Sequence, residues 1–476
     1  MIKHNKKNKL HEAAALVESI ALTKISNGNT VDEYLKVDGV SLFNIVKSSV
    51  ANTMIVDYQE CYSSTVRNTI IRALRNIKYD FLFLRSLSKF IFSKVIRKNN
   101  HKSNRKITAL AFSKYIFDQN YSPMSHALEL GEVEYVAKYI DPGLSADNTT
   151  IFILFRRIFK YKKRAKDVCR ILREIQGNPE LDRLIEFVML RYIRNFIIYL
   201  GAARELVEKT DNVLISTDVN NPLDQMCVAY ANRFNLETLQ IAFAFTSNMN
   251  MEWMFCRTKK ILTHSRKGVE EIKKLSKNGE VYLIPAYNYI DLINQHSVSK
   301  GDYALLISQP YFPEAFPCYE TYVKMHRDII KICSLNNISL IIKLHPFQSK
   351  SVFKHIGNGY KYEVANNVSH QQAINLVAKS KFVIGFFSTM LFDALLLKKR
   401  VCFVNYPPFY DDLLYREAGL SNYCNEYTEL SNVIVCLSED NKESVSELDI
   451  NQKFIDDQIE LNLEHDSFGL VHRYTI

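Results

Sequence analysis

The sequence predicts an α/β protein built from two Rossmann-like domains with mainly parallel sheets. From about residue 210 onward, short β-branched runs alternate with amphipathic helical patterns, which is the rhythm of βαβ units. The chain has 476 residues, more than one hydrophobic core usually supports. The polar stretch Asp291–Gly301 separates two such alternating series. We therefore expect an N-terminal domain over residues 1–290, a C-terminal domain over residues 300–436, and an acidic, helical, exposed tail over residues 437–476.

The part of the chain before residue 210 is predicted to be mostly helical. A turn is expected at Val37–Val40, and Ile151–Glu208 carries apolar residues at three- and four-residue spacing. Three apolar runs interrupt the helical pattern and are predicted strands, namely Tyr79–Leu84, Ile107–Phe112 and Glu134–Ile140.

The two alternating series then follow in order. The first series predicts strands at Asn212–Ser216, Thr238–Phe243, Lys260–Thr263 and Val281–Ile284, with helices at Pro222–Phe234 and Lys267–Lys277. The second predicts strands at Tyr303–Ile307, Ile338–Leu344, Lys361–Val364, Phe382–Ile384 and Arg400–Asn405, with helices at Glu320–Leu335, Gln371–Lys379 and Met390–Leu397.

Two polar segments directly follow strands of the second series. They are Lys343-Leu344-His345-Pro346 and Gly385-Phe386-Phe387-Ser388-Thr389. Ligands of open α/β sheets bind outside the carboxyl ends of the strands, so both segments should border one crevice. A lone histidine or a lone serine at a helix start is usually structural. Together, an imidazole and a hydroxyl-bearing helix N-terminus favour a phosphate site.

Each residue of these segments has an expected role in that site. Lys343 and His345 point the same way if the strand continues, Pro346 ends the strand, and Ser388 caps the next helix. Gly385 and Thr389 complete the set of nucleotide- and phosphate-binding residues.

Further candidates come from other strand ends. Ser308 and Gln309 follow the first strand of the second series, where they either contact a nucleotide or form the turn before Pro310. A catalytic base should come from the other domain, and Asp218 follows the strand Asn212–Ser216. Glu60, Asp80 and His126 are weaker candidates for the base.

We expect neither a metal nor a cofactor, because the donors are side chains and backbone amides. The nine cysteines occur singly without a CxxC pair, so a zinc site is not expected. The sequence also lacks GxGxxG, Walker-type, HExxH and GxSxG motifs.

The cellular location is predicted from three features. An odd number of singly spaced cysteines in apolar surroundings indicates free thiols in a reducing compartment. The basic N-terminus is not followed by an apolar signal segment. The longest apolar stretch, Phe382–Leu397, is shorter than a spanning helix and is interrupted by Asp393. These features predict a cytoplasmic protein.

The net charge of +10 is concentrated in basic segments. Lys94–Lys106 holds six Lys or Arg and no acid, and Arg156–Lys166 holds seven and no acid. The second segment adjoins the apolar run Ile151–Phe155, a combination that suits either the anionic inner face of a membrane or an ordinary solvated helix. Nucleic acid is not an expected partner, because no recognised binding module accompanies the charge.

The two polar segments carry a resemblance to a known family. Lys343–Pro346 together with Val383–Leu391 resembles the HP and Ser/Thr motifs of bacterial sialyltransferases, including capsular polysialyltransferases. The chain is also similar to the wider clan of capsule and lipooligosaccharide transferases of GT-B fold, which includes the CDP-glycerol glycerophosphotransferases. The stretch from Val213 through Asp291 is similar to the end of the donor-free domain and the crossing into the second domain. The resemblance covers about residues 210–420.

The resemblance implies a GT-B-like fold whose two domains face a central cleft, with a nucleotide-sugar donor bound mainly by the C-terminal domain. His345 would stabilise the leaving phosphate, and Ser388 and Thr389 would bind it. A CMP-activated nonulosonic (sialic-type) acid is the first choice of donor, and a UDP- or CDP-linked sugar is the alternative. This chain departs from the family in one respect, because its N-terminal half has no clear acidic-acidic-glycine motif to carry the base.

Three functions remain open from the sequence. The first is a membrane-peripheral glycosyltransferase that extends a surface glycan, capsule or lipooligosaccharide, near a lipid-linked acceptor. The second is a sugar-nucleotide epimerase of the same architecture. The third is a non-enzymatic assembly scaffold. Turnover of a nucleotide sugar separates the third from the others, and dependence on an acceptor separates the first from the second.

Overall fold

The structure is a computed structural model of the chain. It describes residues 5–25, 28–61, 66–96, 105–111, 133–137, 151–176, 179–216, 219–242, 251–277, 279–286, 289, 292–294, 301–311, 319–345, 348–357, 359–386, 388–405, 420, 422–439 and 445–461.

The described residues before residue 97 fold into helices and one small hairpin. The elements are α1 (Asn5–Leu22), α2 (Val31–Tyr34), β1 (Lys36–Val37), β2 (Val40–Ser41), α3 (Leu42–Cys61) and α4 (Val66–Ile96). The predicted turn at Val37–Val40 is confirmed. Asp38 and Gly39 have φ angles of 51° and 80°, which a two-residue hairpin turn of this kind requires.

The predicted strand at Tyr79–Leu84 is wrong, because these residues lie inside α4. Their aromatic and apolar composition favours a strand, but the apolar residues that pack on the core are spaced three or four apart. Tyr79, Phe83, Leu87 and Ile91 contact the core from one face of the helix. The helical period of the longer segment therefore overrides the local strand preference.

Within the described residues, the first sheet has six strands, all parallel. They are β3 (Arg105–Ala111), β4 (Val133–Ala137), β5 (Thr210–Ser216), β6 (Glu237–Ala242), β7 (Lys260–Thr263) and β8 (Glu280–Leu283), in the spatial order β4-β3-β5-β6-β7-β8. The helical segments between them are α5 (Ile151–Gln176), α6 (Pro179–Phe187), a π-helical turn (Val188–Tyr192), a 3₁₀ segment (Ile193–Tyr199), α7 (Leu200–Glu208), α8 (Pro222–Arg233), a second 3₁₀ segment (Met251–Phe255) and α9 (Arg266–Leu275).

The second sheet also has six parallel strands in the part of the chain that the structure describes. They are β9 (Tyr303–Ile307), β10 (Ser339–Lys343), β11 (Glu363–Ala365), β12 (Phe382–Gly385), β13 (Arg400–Val404) and β14 (Tyr423–Cys424), in the spatial order β11-β10-β9-β12-β13-β14. The helices are α10 (Tyr319–Leu335), α11 (Lys350–Ile356), α12 (His370–Lys379), α13 (Met390–Leu396), α14 (Tyr427–Ser438) and α15 (Val445–Gln458).

Two parallel α/β units confirm the predicted fold class. All predicted strands and helices of the two alternating series are present, with ends shifted by at most two residues. Alternate residues of the second sheet pack on opposite layers. Leu305 and Ile307 face the core that includes α12, α13 and α15, whereas Ala304 and Leu306 face the core that includes α10, α11 and α14.

The predicted helix of the tail is present at Val445–Gln458, but the prediction that the tail is exposed is wrong for one face of this helix. Helix α14 runs through residue 437, and α15 packs against both α9 of the first unit and α13 of the second. Phe454, Ile455 and Ile459 are buried among apolar residues of the second unit. The segment is acidic overall, so its composition suggested full exposure. Its few apolar residues nevertheless form one stripe that packs against the core.

Candidate active site

The carboxyl ends of the three central strands of the second sheet lie side by side. Ile307 of β9 is in register with Lys343 of β10 on one side and with Gly385 of β12 on the other. The chain proceeds outward from β9 to β10 and β11, then crosses back to β12 on the opposite side of β9. This reversal of strand order creates a crevice between the loops that follow β9 and β12. Ser308 and Ser388 stand in those two loops.

A buried histidine that the sequence did not single out anchors Ser308. His326 of α10 is fully buried, and its Nε2 lies 3.0 Å from Ser308 Oγ. Its Nδ1 lies 2.9 Å from the carbonyl oxygen of Tyr322. Burial lowers the pKa of His326 to about 4, so the ring is neutral at physiological pH. The ring therefore donates from Nδ1 to the carbonyl and accepts at Nε2 from the Ser308 hydroxyl.

Gln348 joins the loop after β10 to the loop after β9. Its Oε1 accepts from the backbone N–H of His345 at 2.8 Å. Its Nε2 lies 2.8 Å from Ser308 Oγ, 2.6 Å from the carbonyl oxygen of Gln309 and 2.8 Å from the hydroxyl of Tyr322. The amide has two N–H groups for three acceptors, so one contact is shared. We call Gln348, Ser308, His326 and Tyr322 the loop-anchoring network.

The turn around His345 is closed by the backbone as well. The N–H of Gln348 donates to the carbonyl oxygen of His345 at 2.9 Å. His345 itself is half-buried, and burial together with the positive charge of Lys343 lowers the pKa of its imidazole. The pKa of His345 therefore lies below the ordinary value of a histidine. His345 is therefore mainly neutral at pH 7 and offers a single N–H donor.

Lys343 faces a carboxyl group inside the same site. Lys343 follows Ile341 by two residues in β10, so both side chains lie on the same face of the sheet. Ile341 packs against the layer that contains α13. Asp393 of α13 is buried, and burial raises the pKa of its carboxyl to about 7, although Lys343 acts in the lowering direction. Burial lowers the pKa of Lys343, and Asp393 opposes that change. The two groups influence each other electrostatically without forming an ion pair, and the carboxyl has a pKa close to neutrality.

The loop after β12 presents two hydroxyl groups in different settings. Ser388 is buried, and its Oγ accepts from the N–H of Met390 at 3.3 Å. Thr389, not Ser388, occupies the N-cap position of α13, and its side chain is exposed and makes no capping bond. The prediction that Ser388 is the cap residue is therefore wrong by one position, although its side chain does bond to the first turn.

Gly385 has a packing role. It ends β12 and is buried beneath α13, where a Cβ would come within 2.6 Å of a methyl carbon of Leu391. Glycine therefore allows close approach of strand and helix. This contact gives no support to the predicted role of Gly385 in binding phosphate.

Other predicted residues are not part of this arrangement. Pro346 and Asp218 lie outside the described residues, as does His126, and the side chain of Glu60 is not described. Asp80 lies on α4, where its carboxylate pairs with Arg194 at 2.6 Å and Arg191 at 3.5 Å. These ion pairs tie helical segments together, so Asp80 is not positioned as a base.

The site described here has no metal cluster. Within the part of the chain that the structure describes, no group of three or more His, Cys, Asp or Glu side chains is arranged to hold a metal ion. The groups at these neighbouring strand ends are hydroxyls, amides, the imidazole of His345 and the ammonium group of Lys343. Such a set suits an anionic ligand bound by neutral donors and one cation.

Comparison with known proteins gives a family and a set of structural likenesses. The family model described as "Alpha-2,8-polysialyltransferase (POLYST)" matches residues 65–401, more than half of the chain. No individual curated protein matches the sequence at a significant level.

Several solved structures are similar at low identity. UDP-GlcNAc 2-epimerase from Methanocaldococcus jannaschii, in complex with UDP-GlcNAc and UDP, is 12% identical with a TM-score of 0.44, covering 73% of this chain and 98% of that one. A mutant O-GlcNAc transferase from Thermobaculum terrenum is 10% identical with a TM-score of 0.37, covering 94% and 83%. The wall teichoic acid polymerase TagF is 13% identical with a TM-score of 0.37, covering 83% and 93%.

Proposed function

Because the chain belongs to the alpha-2,8-polysialyltransferase family, we propose that it transfers a nonulosonic (sialic-type) acid from a CMP-activated donor to a growing surface glycan, capsule or lipooligosaccharide. Membership in this family makes the chain a glycosyltransferase, with a nucleotide-sugar donor and a glycan acceptor. The scaffold alternative therefore falls away. The identity of the donor and of the acceptor rests on the proposal.

The observation that carries the proposal is the loop-anchoring network beneath His345. It fixes the backbone of His345 next to Ser308 at the switch point of the second sheet. A nucleotide phosphate placed there would meet the imidazole of His345 and the hydroxyls of Ser388 and Thr389. Groups held in place before the reaction stabilise developing charge without reorganising.

The proposed step breaks the bond between the anomeric carbon of the sugar and the phosphate oxygen of CMP. The electron pair of that bond stays on the phosphate, and a hydroxyl of the acceptor forms the new glycosidic bond. The proton of this hydroxyl goes to a base, for which Asp218 is the candidate. His345 donates to the departing phosphate, and Lys343 supplies positive charge nearby. Hydrogen bonds to the phosphate that become stronger as its negative charge develops stabilise the transition state more than the bound substrate.

Selective nucleotide binding tests the proposed donor. The purified protein is heated with CMP, CDP, UMP, UDP or GDP, each at a concentration far above the expected dissociation constant. A ligand at 100 times its dissociation constant stabilises the folded state by about 2.7 kcal/mol, enough for a visible shift of the unfolding midpoint. We expect a selective response to CMP that Ser388→Ala weakens. A selective response to UDP or CDP would replace the CMP donor by the alternative.

We further propose that the enzyme works at the inner face of the cytoplasmic membrane, where a lipid-linked acceptor would be found. Helix α5 presents Phe152 and Phe159 at 75% and 68% exposure, beside the basic segment Arg156–Lys166. Apolar side chains next to cations on one helix suit an anionic lipid surface. None of the described helices is both long enough and apolar enough to span a bilayer.

Helix α4 supports the same location through a second exposed stripe. Its members are spaced four and three residues apart and are each 56–64% exposed, namely Ile70, Leu74, Ile77, Phe81 and Leu84. The sequence of α4 contains seven Lys or Arg and only one acid, Asp80. Pairing of this stripe with a second copy would bring like charges together, which disfavours self-association. Anionic lipid is therefore the better partner.

Vesicle binding tests the membrane proposal. The protein is sedimented with phosphatidylcholine vesicles, with or without phosphatidylglycerol. We expect binding only to the anionic vesicles, and the double variant Phe152→Ser/Phe159→Ser should bind at least about tenfold more weakly. The matched control is Leu335→Ser, which removes an equally exposed apolar side chain of α10. A dimer in solution, with no vesicle binding, would contradict the proposal.

A further inference from the structure

A second cavity lies at the edge of the first sheet opposite to its carboxyl ends. Its volume is about 560 Å³, and Lys259 and Lys277, which border it, precede β7 and β8 in the chain. The cavity therefore borders the amino ends of these two strands. The candidate active site belongs to the carboxyl edge of the other sheet, so the two sites share no residue. We call this space the amino-edge cavity.

The charged groups that line the amino-edge cavity are mostly basic. Four cations border it, Lys47, Arg257, Lys259 and Lys277, against one carboxylate, Glu18. Glu18 pairs with Lys47 at 3.1 Å, so three positive charges remain on its walls.

Arg257 is the central group of the cavity. Protein surrounds its guanidinium, and burial lowers its pKa to about 10, although Asp32 and Glu18 act in the raising direction. The residue keeps an intermediate solvent exposure because its side chain borders the cavity. Among the described residues, the guanidinium makes no hydrogen bond or ion pair. A partly buried guanidinium without a protein partner is available to bind an anionic ligand or water.

The backbone around Arg257 is held rigidly. Asn232 Nδ2 donates to the carbonyl oxygen of Arg257 at 2.8 Å, and its Oδ1 accepts from the hydroxyl of Thr238 at 3.0 Å. The same hydroxyl accepts from the N–H of Lys259 at 2.9 Å. Lys259 Nζ donates to the carbonyl oxygen of Leu236 at 2.8 Å and keeps further N–H groups for a ligand. This arrangement fixes two cations before any ligand arrives.

An amide side chain adds a polar group to the wall of the cavity. Asn44 borders this space, and the Nδ2 group of an asparagine side chain is a hydrogen-bond donor.

We propose that the amino-edge cavity binds a multiply charged phosphate compound of nucleotide size or smaller, separately from the donor. A guanidinium matches phosphate oxygens through two parallel N–H groups, and the flanking ammonium groups add charge. Three uncompensated cations suit a phosphate monoester or diphosphate better than a single carboxylate. The cavity volume falls in the range of small-molecule sites. The proposal stands independently of the reaction at the other sheet.

Calorimetric titration with inorganic pyrophosphate tests the site. We expect Arg257→Gln to weaken binding about 10- to 100-fold, the loss expected for charge-assisted hydrogen bonds. Lys277→Gln should weaken it severalfold. Lys273→Gln is the matched control, since Lys273 is exposed on α9 and does not line the cavity, and it should bind as the wild type does. The thermal midpoint without ligand shows whether each variant is folded.

The location of the bound anion is checked by hydrogen exchange with pyrophosphate present. Slower exchange over residues 251–261 is expected, and His345→Ala should leave this local protection unchanged. Full protection in a folded Arg257→Gln variant would overturn the proposal, and so would loss of this protection in His345→Ala. The same exchange measurement with CMP distinguishes the ligands: protection over residues 251–261 indicates that the cavity takes a nucleotide, and protection with pyrophosphate alone indicates a simple phosphate.

Discussion

Replacing Gln348 with methionine removes the side-chain contacts of the loop-anchoring network while nearly preserving the volume of the side chain. In the wild type, this amide accepts from the N–H of His345 and lies within 2.8 Å of Ser308, Gln309 and Tyr322. Ser308 keeps its partner His326, but the N–H of His345 and the carbonyl oxygen of Gln309 lose theirs.

The expected cost follows from these two backbone groups. Leaving one buried polar group unsatisfied costs about 1–3 kcal/mol. Gln309 is buried, whereas His345 is half-buried and regains part of its bonding from water. The free energy of unfolding should therefore fall by about 2–4 kcal/mol. A displacement of His345 by about 1 Å can lower the rate about 10²-fold, so kcat/KM should fall by a similar factor.

Two measurements check this reasoning, urea unfolding for stability and initial rates of sugar transfer for kcat/KM. The control is Gln372→Met at the exposed start of α12, where the side chain makes a capping contact with Ser369 at 2.8 Å. This variant should lose about 1 kcal/mol or less and keep its kcat. A stable Gln348→Met variant with wild-type kcat/KM would refute the assigned role of the network.

Four further outcomes are expected. His345→Ala should lower the transfer rate by about 10²-fold with little change in the thermal midpoint; wild-type rates would exclude the phosphate role. Burial raises the pKa of Asp393 to about 7, so the folded state holds this proton longer than the unfolded state and stability falls as pH rises from about 4 to 7, by up to about 4 kcal/mol. The free energy of unfolding is measured by urea unfolding at several pH values for the wild type and for Asp393→Asn. The difference between the two proteins gives the contribution of Asp393, and identical pH dependence in both would contradict the raised pKa. Gly385→Ala should destabilise the fold by about 1–3 kcal/mol, because the added Cβ would clash with Leu391. An unchanged urea midpoint would show that α13 can shift to accommodate the methyl group without cost. Transfer should continue at nearly full rate in a chelator, and a strict need for a divalent metal would contradict donation by side chains alone.

Much of the second unit could be predicted from the sequence because its central strands are buried on both faces. Such strands appear as continuous apolar runs, and the residue at which each run ends marks the carboxyl edge. The positions of Ser308, Lys343, His345 and Ser388 at neighbouring strand ends follow from that pattern. Periodicity alone was enough here, since no long-range contact had to be known.

The parts that could not be predicted depend on contacts distant in sequence. Ser308 and Gln348 are 40 residues apart, and His326 is a polar residue inside an otherwise ordinary amphipathic helix. Nothing in the local sequence of Asp393 reveals that Lys343 approaches it. The strand predicted inside α4 failed because six residues contain too little of the helical period to reveal it.

The return of the C-terminal segment to the first unit has a consequence for biosynthesis. Glu460 is buried, and it accepts from Arg266 Nη2 at 2.7 Å and donates its backbone N–H to the carbonyl oxygen of His264 at 2.8 Å. Arg266 and Glu460 are 194 residues apart in the sequence. At the usual pace of synthesis, the ribosome needs roughly 10 to 40 s to make that stretch. The nascent first unit therefore keeps this part of its surface uncovered, accessible to chaperones and to unwanted partners, until the segment around Glu460 has been translated.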